Sequence, residues 1–433
     1  MEHIVEYIIG FLLGEQNTHL VRQVAYSDQS SAAVVIVPSS FFEAGVYMTQ
    51  DSMPNLPLKE IEGVPLLFGD ETIIHKDKQL IIKADIIASA FFLITRYEEC
   101  LNRKDRDKHG RFIGSKSLPY RAGFLMRPIV DEYGRILRKW IRETGIQVTE
   151  PPNMFRNIYL THDVDSIWQW DNLYRALLKF GKKIIKRETD ICESLRAWYD
   201  YEKYDKIYTF PWMIEMDQKV ANCFKEDKVF SVYFIKSGGD SAYDVPYYKK
   251  IYRLKRLVGL LQRSGAIFGL HSSYSAGEEP EKIREEKKEL ENILEGSINW
   301  NRHHYLRSKE PEDMDELILA GITDDFTMGY ADVAGFRLGT SRAVKWINPF
   351  TRRLTELTLH PLTVMEGTLD SPHYMNLSEK DAYKTISELM ECVREHNGEA
   401  ILLWHNSSVA EYENRYQRRL YEKVINYLIE SRG

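Results

Sequence analysis

The sequence predicts an α/β protein: an irregular seven-stranded (β/α) barrel over residues 151–433, preceded by a smaller α/β domain over residues 1–150. Three observations predict it. The chain has 433 residues, 43% of them hydrophobic, which suffices for a large core and, at roughly 150 residues per domain, for two or three domains. After the chain-breaking cluster Glu150-Pro151-Pro152, short apolar runs alternate with longer helical segments, the pattern of βα units around a parallel sheet. In this second part, strand after strand ends in a polar residue capable of chemistry, and the C-terminal strand ends of a parallel barrel share one face.

Taken in order, Ile4–Leu13 reads as an amphipathic first helix. Glu2 and Glu6 stand where a secretion signal needs basic residues, and no apolar run reaches the roughly 18 residues of a membrane span. The β-branched run Ala32–Val37 ends at Pro38 and reads as a buried strand. Ala84–Leu101 carries Ile87, Phe91 and Ile94 at helical spacing, Asn102–Arg111 is a charged solvated loop, and Ile129–Ile141 is another amphipathic helix. The second domain offers seven strands: Ile158–Thr161, Val229–Ile235, Ala266–Leu270, Trp300–His304, Ala331–Phe336, Leu357–Val364 and Ala400–Trp404. Helices are predicted over Tyr247–Arg263, Pro280–Leu294 and Glu379–His396, and a helical elaboration over 171–228. About seven strands in roughly 280 residues is the size of such a barrel.

Charge and cysteine usage argue against several classes. Lys+Arg total 58 and Asp+Glu 64, a net charge of −6, which lacks the electrostatic footprint of a nucleic-acid binder. Cys100, Cys192, Cys223 and Cys392 are far apart without a CxxC pair, which argues against a disulfide framework and a cysteine zinc site and suits a reducing compartment. The expected location is the cytoplasm, without a membrane span; oligomeric state is not encoded.

The polar strand ends are Thr161-His162-Asp163-Val164-Asp165, His271, His303-His304, Arg337 and His405. Asp163 and Asp165, two apart on an extended strand, point the same way, and a cation relieves their repulsion. Carboxylates and imidazoles together make a metal site of N/O donors, zinc by default. His303 and His304 face opposite sides of a strand, so at most one of them is a ligand. Arg337 lies between Gly335 and Gly339 in a constrained turn suited to orienting a carboxylate or substrate.

The order Thr161-His162-Asp163-Val164-Asp165, His271-Ser272-Ser273-Tyr274, Gly335-Phe336-Arg337 and Leu403-Trp404-His405 resembles the motif series of the polysaccharide deacetylases, carbohydrate esterases with a distorted seven-stranded barrel. The resemblance covers roughly residues 153–433. The first domain resembles the uncharacterised region preceding such barrels in some bacterial proteins. The resemblance implies Asp163 as base, Asp165 and His271 as metal ligands, Arg337 as the arginine orienting the base and His405 as general acid. It also implies Glu366 as a further acid at the site, with Tyr274 and Trp404 beside the substrate. The family's second motif is HxxxH, and Ser275 stands here in place of its second histidine; His304, at the end of the next strand, is the candidate for the missing ligand. The implied activity is metal-dependent removal of an N-acyl group, N-acetyl foremost, from an amino sugar or glycan precursor. Two other readings stay open: a degenerate barrel that binds glycan or a protein partner, and a glycosidase using Asp163 with Asp325.

Overall fold

The computed structural model describes residues 1–169, 181, 196–197, 199–224, 228–411 and 415–432. The chain forms two compact units. The first contains Met1–Arg156, Met328–Thr363 and Leu389–Ala400, and the second contains Asn157–Thr327, Val364–Glu388 and Ile401–Gly433. The first unit therefore runs a few residues past the prolines at 151–152 and takes back two later stretches, which apolar patterning does not reveal.

In the first unit, strands β1 (Val24–Tyr26), β2 (Val34–Ile36), β3 (Gly69–Lys76) and β4 (Gln79–Ala84) form a sheet in the order β1-β2-β4-β3. β2 pairs in parallel with β1 and β4, and β3 pairs antiparallel with β4. Helix α1 (Glu2–Leu13) packs on α2 (Ile86–Ile94) and α3 (Ile129–Glu143). At the crossing, a Cβ on Gly134 would stand 2.5 Å from the Leu12 carbonyl oxygen, so only glycine allows the approach. Arg138 Nη1 then donates to that carbonyl at 3.0 Å, satisfying one of the open acceptors at the end of α1. All nine residues of α2 are buried, and Asp85 caps it by accepting from Ala88 N at 2.9 Å. The single helix expected over Ala84–Leu101 is broken at Arg96, whose φ is 56°.

Strands β5 (Asn157–Val164), β6 (Val229–Ile235), β7 (Ile267–Ser272), β8 (Trp300–His303), β9 (Asp324–Asp325) and β10 (Val364–Met365) of the second unit, with β11 (Glu399–Leu403), which starts in the first unit's last stretch, lie in the order β10-β11-β5-β6-β7-β8-β9. β5-β6, β6-β7, β7-β8, β8-β9 and β10-β11 are all parallel. The architecture is thus mixed α/β with a large parallel sheet. The order is linear: among the described residues no pairing joins β9 to β10, so the sheet is not closed by hydrogen bonds. Buried runs such as Val232–Ile235 and Ala400–Leu403 reflect a sheet covered on both faces.

Two expected strands are corrected. Ala331–Phe336 is irregular: the Asp332 carboxylate accepts from Gly114 N and Ser115 N at 2.8 and 2.9 Å, and Gly335 turns the backbone at φ 141°. Leu357–Val364 is two pieces. Residues up to Leu359 pair antiparallel with Val344–Asn348, Pro361 follows, and β10 starts at Val364. The missing parallel strand is β9, too short and too acidic to show a pattern. Most of the elaboration expected over 171–228 lies outside the described residues; its described part holds helices at Tyr201–Tyr204 and Phe210–Ala221.

Parallel register puts the C-terminal ends of β5 to β8, β10 and β11 on one edge of the sheet. Behind that edge, the helix Lys282–Leu294 contributes Glu286, which accepts from Ser273 N at 2.9 Å just after β7. Burial pushes its carboxyl up to about 7. A carboxyl raised above its unfolded value supports the fold fully below the unfolded carboxylate range and loses that support as pH rises through 7. Thermal unfolding of the parent chain should therefore show a melting temperature that declines between about pH 4.5 and 7, and Glu286→Gln should flatten that decline.

Candidate metal and hydrolytic site

β5 carries Asp163 on its buried end and delivers Asp165 one residue past Val164. Their spacing of two places both carboxylates near one imidazole: His271 Nε2, at the end of β7, lies 3.7 Å from Asp163 Oδ2 and 3.3 Å from Asp165 Oδ1. His304, just past β8, brings its Nε2 to 3.1 Å from the same Asp165 Oδ1. Donor atoms of Asp165, His271 and His304 all lie within 4.8 Å of one another.

The tautomers follow from the partners of the other ring nitrogens. His271 Nδ1 faces the Arg302 backbone carbonyl at 2.9 Å, an acceptor only, so Nδ1 carries the hydrogen. His304 Nδ1 faces the Asp244 carboxylate at 3.0 Å and donates likewise. Both Nε2 atoms therefore present a bare lone pair when the rings are neutral, as metal ligation requires. Burial lowers the pKa of His271, which favours that neutral form. Burial tends to raise the pKa of Asp165, but His304 and Lys236 override it and hold the carboxylate well below its usual range.

The site fits a divalent ion on its own geometry. Asp165 Oδ1 and His271 Nε2 are buried and make no hydrogen bond, which is costly unless another group satisfies them. Metal–N and metal–O bonds of about 2.0–2.1 Å set tetrahedral donors roughly 3.3 Å apart, and the observed separations are 3.3 and 3.1 Å. Ser275, in the position of the second motif histidine, instead hydrogen-bonds Asp240 N and the Ser273 hydroxyl. His303 points away from the site, its Nε2 3.4 Å from Asp313.

His405 follows β11. Its Nδ1 lies 2.7 Å from Glu366 Oε1, which also accepts from His405 N at 2.9 Å, and its Nε2 lies 3.7 Å from Asp165 Oδ2. Burial works against a charge on this ring, but Glu366, with Asp165 and Asp163, overrides it and pushes the imidazole up to about 10. His405 is thus a protonated donor at neutral pH.

The structure places the other sequence candidates as follows. Arg337 belongs to the first unit, where its Nε and Nη2 donate to Glu99 at 2.9 and 2.6 Å; the arginine on Asp163 is Arg302, whose Nη1 donates at 3.0 Å. Glu366 lies against His405 and is almost fully buried. Trp404 offers no face to a sugar, because its ring is fully buried with its centroid 5.0 Å from that of Tyr421. Tyr274 is buried too, its ring stacked under Arg307 at 4.3 Å. Asp325, the second acid of the glycosidase reading, is taken up by Asn301 Nδ2 and Thr327 N at 2.8 and 3.0 Å.

Sequence reasoning missed Arg302, Asp244 and Lys236. Arg302 shares a strand face with residue 304, a signal available from alternation. Lys236 ends β6, the same positional signal as the histidines; its Nζ is buried 3.6 Å from Asp165 Oδ1. Asp244 lies in irregular chain and carries no such signal.

A family model described as a family of unknown function (DUF7033) matches residues 2–145. No curated protein matches the chain. Among solved structures, the chain is similar to the one named "putative polysaccharide deacetylase from Mycobacterium smegmatis", with 12% identity over 66% of this chain and 88% of that chain and a TM-score of 0.40. Among the described residues, no helix is long and apolar enough to cross a membrane.

Two outcomes are expected. Elemental analysis of the purified chain should find about one divalent ion per chain, lost in His271→Ala and His304→Ala, since two remaining donors make a weak site. Arg337→Met should destabilise the first unit by about 3–5 kcal/mol, because it strands part of the buried Glu99 charge, while leaving metal content unchanged; denaturant unfolding together with metal assay checks both.

Proposed function

We propose that the second unit is a metal-dependent hydrolase that removes an N-acyl group, N-acetyl foremost, from an amino sugar or glycan precursor. The observation that carries the reading is the meeting of Asp165, His271 and His304 around one unsatisfied point. An acid and a base flank that point on opposite charge footings: Asp163 held by Arg302, and His405 held by Glu366. The motif order through residues 161–165, 271–274 and 403–405 supports the choice of amide and sugar. We read the seven parallel strands as an irregular, opened form of the barrel which that resemblance implies.

Asp165, His271 and His304 would hold the ion, and two imidazoles with one carboxylate suit zinc. When bound, such an ion supplies a water of lowered pKa and polarises an acyl oxygen. The chain's own residues do the remaining work. Asp163 Oδ2 accepts the proton of the attacking water as the C–O bond forms. Arg302 fixes that carboxylate by donating to Oδ1 and to the Thr161 hydroxyl, at 3.0 and 2.7 Å. His405 donates from Nε2 to the amine nitrogen as the C–N bond breaks, which yields a carboxylic acid and a free amino sugar. Glu366 takes the Nδ1 hydrogen, which leaves Nε2 to face the site.

Acetate release from the tetramer of β-1,4-linked N-acetylglucosamine, with zinc-loaded full chain, tests the proposal. Asp163→Asn and His405→Ala should each lower kcat by about 10²–10⁴-fold with metal retained; equal activity in either variant would sink the assignment. The His405 imidazolium persists until pH rises through about 10, so the rate should fall on that alkaline side. Removing the carboxylate charge in Glu366→Gln lowers the imidazole pKa, and the alkaline limb of kcat/KM should move to lower pH.

A further inference from the structure

Three of the loops that build the metal site also carry a tyrosine close to a functional residue. Asp244, which orients His304, follows Tyr243; His304 precedes Tyr305; Tyr274 comes three residues after His271. The three rings meet. Centroids lie 4.5 Å apart for Tyr243 and Tyr274, 5.5 Å for Tyr243 and Tyr305, and 5.4 Å for Tyr274 and Tyr305. Tyr305 also lies 4.7 Å from the His304 ring.

Their exposures differ in a useful way. Tyr274 is buried at 8%, whereas Tyr243 and Tyr305 are 46% and 37% exposed. The exposed pair meets at 61°, a corner and not a flat slab. Burying these rings would have been favourable, yet the fold holds Tyr305 outward through left-handed backbone. Tyr305 has φ 62° and Leu306 φ 52°, two consecutive non-glycine residues in a disfavoured region directly after a candidate ligand. Strain of this kind persists where surrounding structure imposes it, and it concentrates at binding sites.

The charge around the corner narrows the occupant. Arg307 is committed to the Tyr274 ring, to the Tyr274 carbonyl at 2.8 Å and to Glu278 at 3.2 Å. Asp240 and Glu278, exposed nearby at 75% and 70% of their side chains, are each paired with a cation, Lys282 and Arg307, at 3.2 Å. A neutral ring with C–H faces and hydroxyl edges suits aromatic faces bordered by phenol and carboxylate oxygens.

We infer that Tyr243 and Tyr305 form an aromatic corner that seats a pyranose ring of an N-acylated glycan beside the metal-binding residues. The inference rests on the hydrolase reading only in taking an N-acylated sugar as the substrate. Neither tyrosine takes part in the proton transfers; their contribution is to affinity and chain-length preference.

The test uses the zinc-loaded full chain, with the tetramer of β-1,4-linked N-acetylglucosamine as probe. Calorimetric titration gives its affinity, and acetate release gives KM and kcat. Tyr243→Ala and Tyr305→Gly should each weaken binding and raise KM by about tenfold, with kcat and metal content little changed, while Tyr243→Phe and Tyr305→Phe keep the parent affinity. Glycine also relieves the left-handed backbone at 305, so Tyr305→Gly should melt higher than the parent while binding more weakly. A tyrosine that merely packs would instead lower the melting temperature, and that result would overturn the role given to Tyr305. Parent-like affinity in both ring-removal variants would overturn the inference and leave the hydrolase reading standing. A parent that holds metal but does not bind the tetramer would overturn the inference together with the sugar substrate. A parent that holds no metal yet binds the tetramer through these tyrosines would uphold the inference and sink the hydrolase reading.

Discussion

The second unit depends on two imidazoles aiming Nε2 at one carboxylate oxygen. Neither ring could do so if its Nδ1 were free to rotate into competition. The Arg302 carbonyl and the Asp244 carboxylate take those Nδ1 hydrogens at 2.9 and 3.0 Å, and each thereby fixes a tautomer and a ring plane. The parallel sheet supplies the rest. Neighbouring strands set their C-terminal ends about 4.8 Å apart, so residues from β5, β7 and β8 converge without long side chains having to reach across a cleft.

Charge balance explains the surrounding residues. Asp163, Asp165, Asp244 and Glu366 gather four carboxyl groups at one edge, an arrangement that low-dielectric surroundings oppose. Arg302, Lys236 and His405 oppose it from within, each lying against one of those acids. The partners also differ in sign: Arg302 lies against Asp163 at 3.0 Å, and Glu366 against His405 at 2.7 Å, where it favours the imidazolium. The Glu99 cluster of the first unit uses the same physics without an open site. There Arg96 and Arg337 hold a carboxylate that is 3% exposed.

Much of this site was legible because strand ends are legible. An apolar run that stops at His, Asp or Arg marks a side chain that the sheet brings to its edge, and Asp163, Asp165, His271, His304 and His405 all carry that signal. Where Ser275 departs from HxxxH, the ring of His304 comes from the next strand to within 3.1 Å of Asp165. Arg337 carried the same local signal and misled, because the Gly335–Gly339 turn belongs to a stretch that folds with the first unit. Trp404 misled because an aromatic beside a motif reads alike whether it lines a cleft or fills a core.

The sequence by itself determined the α/β class, the alternation of strands and helices beyond the prolines at 151–152, and the residue types that could ligate or exchange protons. Those features are local: periodicity, chain breakers and strand ends act within a few residues. Tertiary structure decided which arginine meets Asp163, that Glu366 serves His405, that Asp244 orients His304, and that residues 328–363 and 389–400 join the first unit. Each of those is a pairing between positions tens to hundreds of residues apart, fixed by the order in which strands and helices pack.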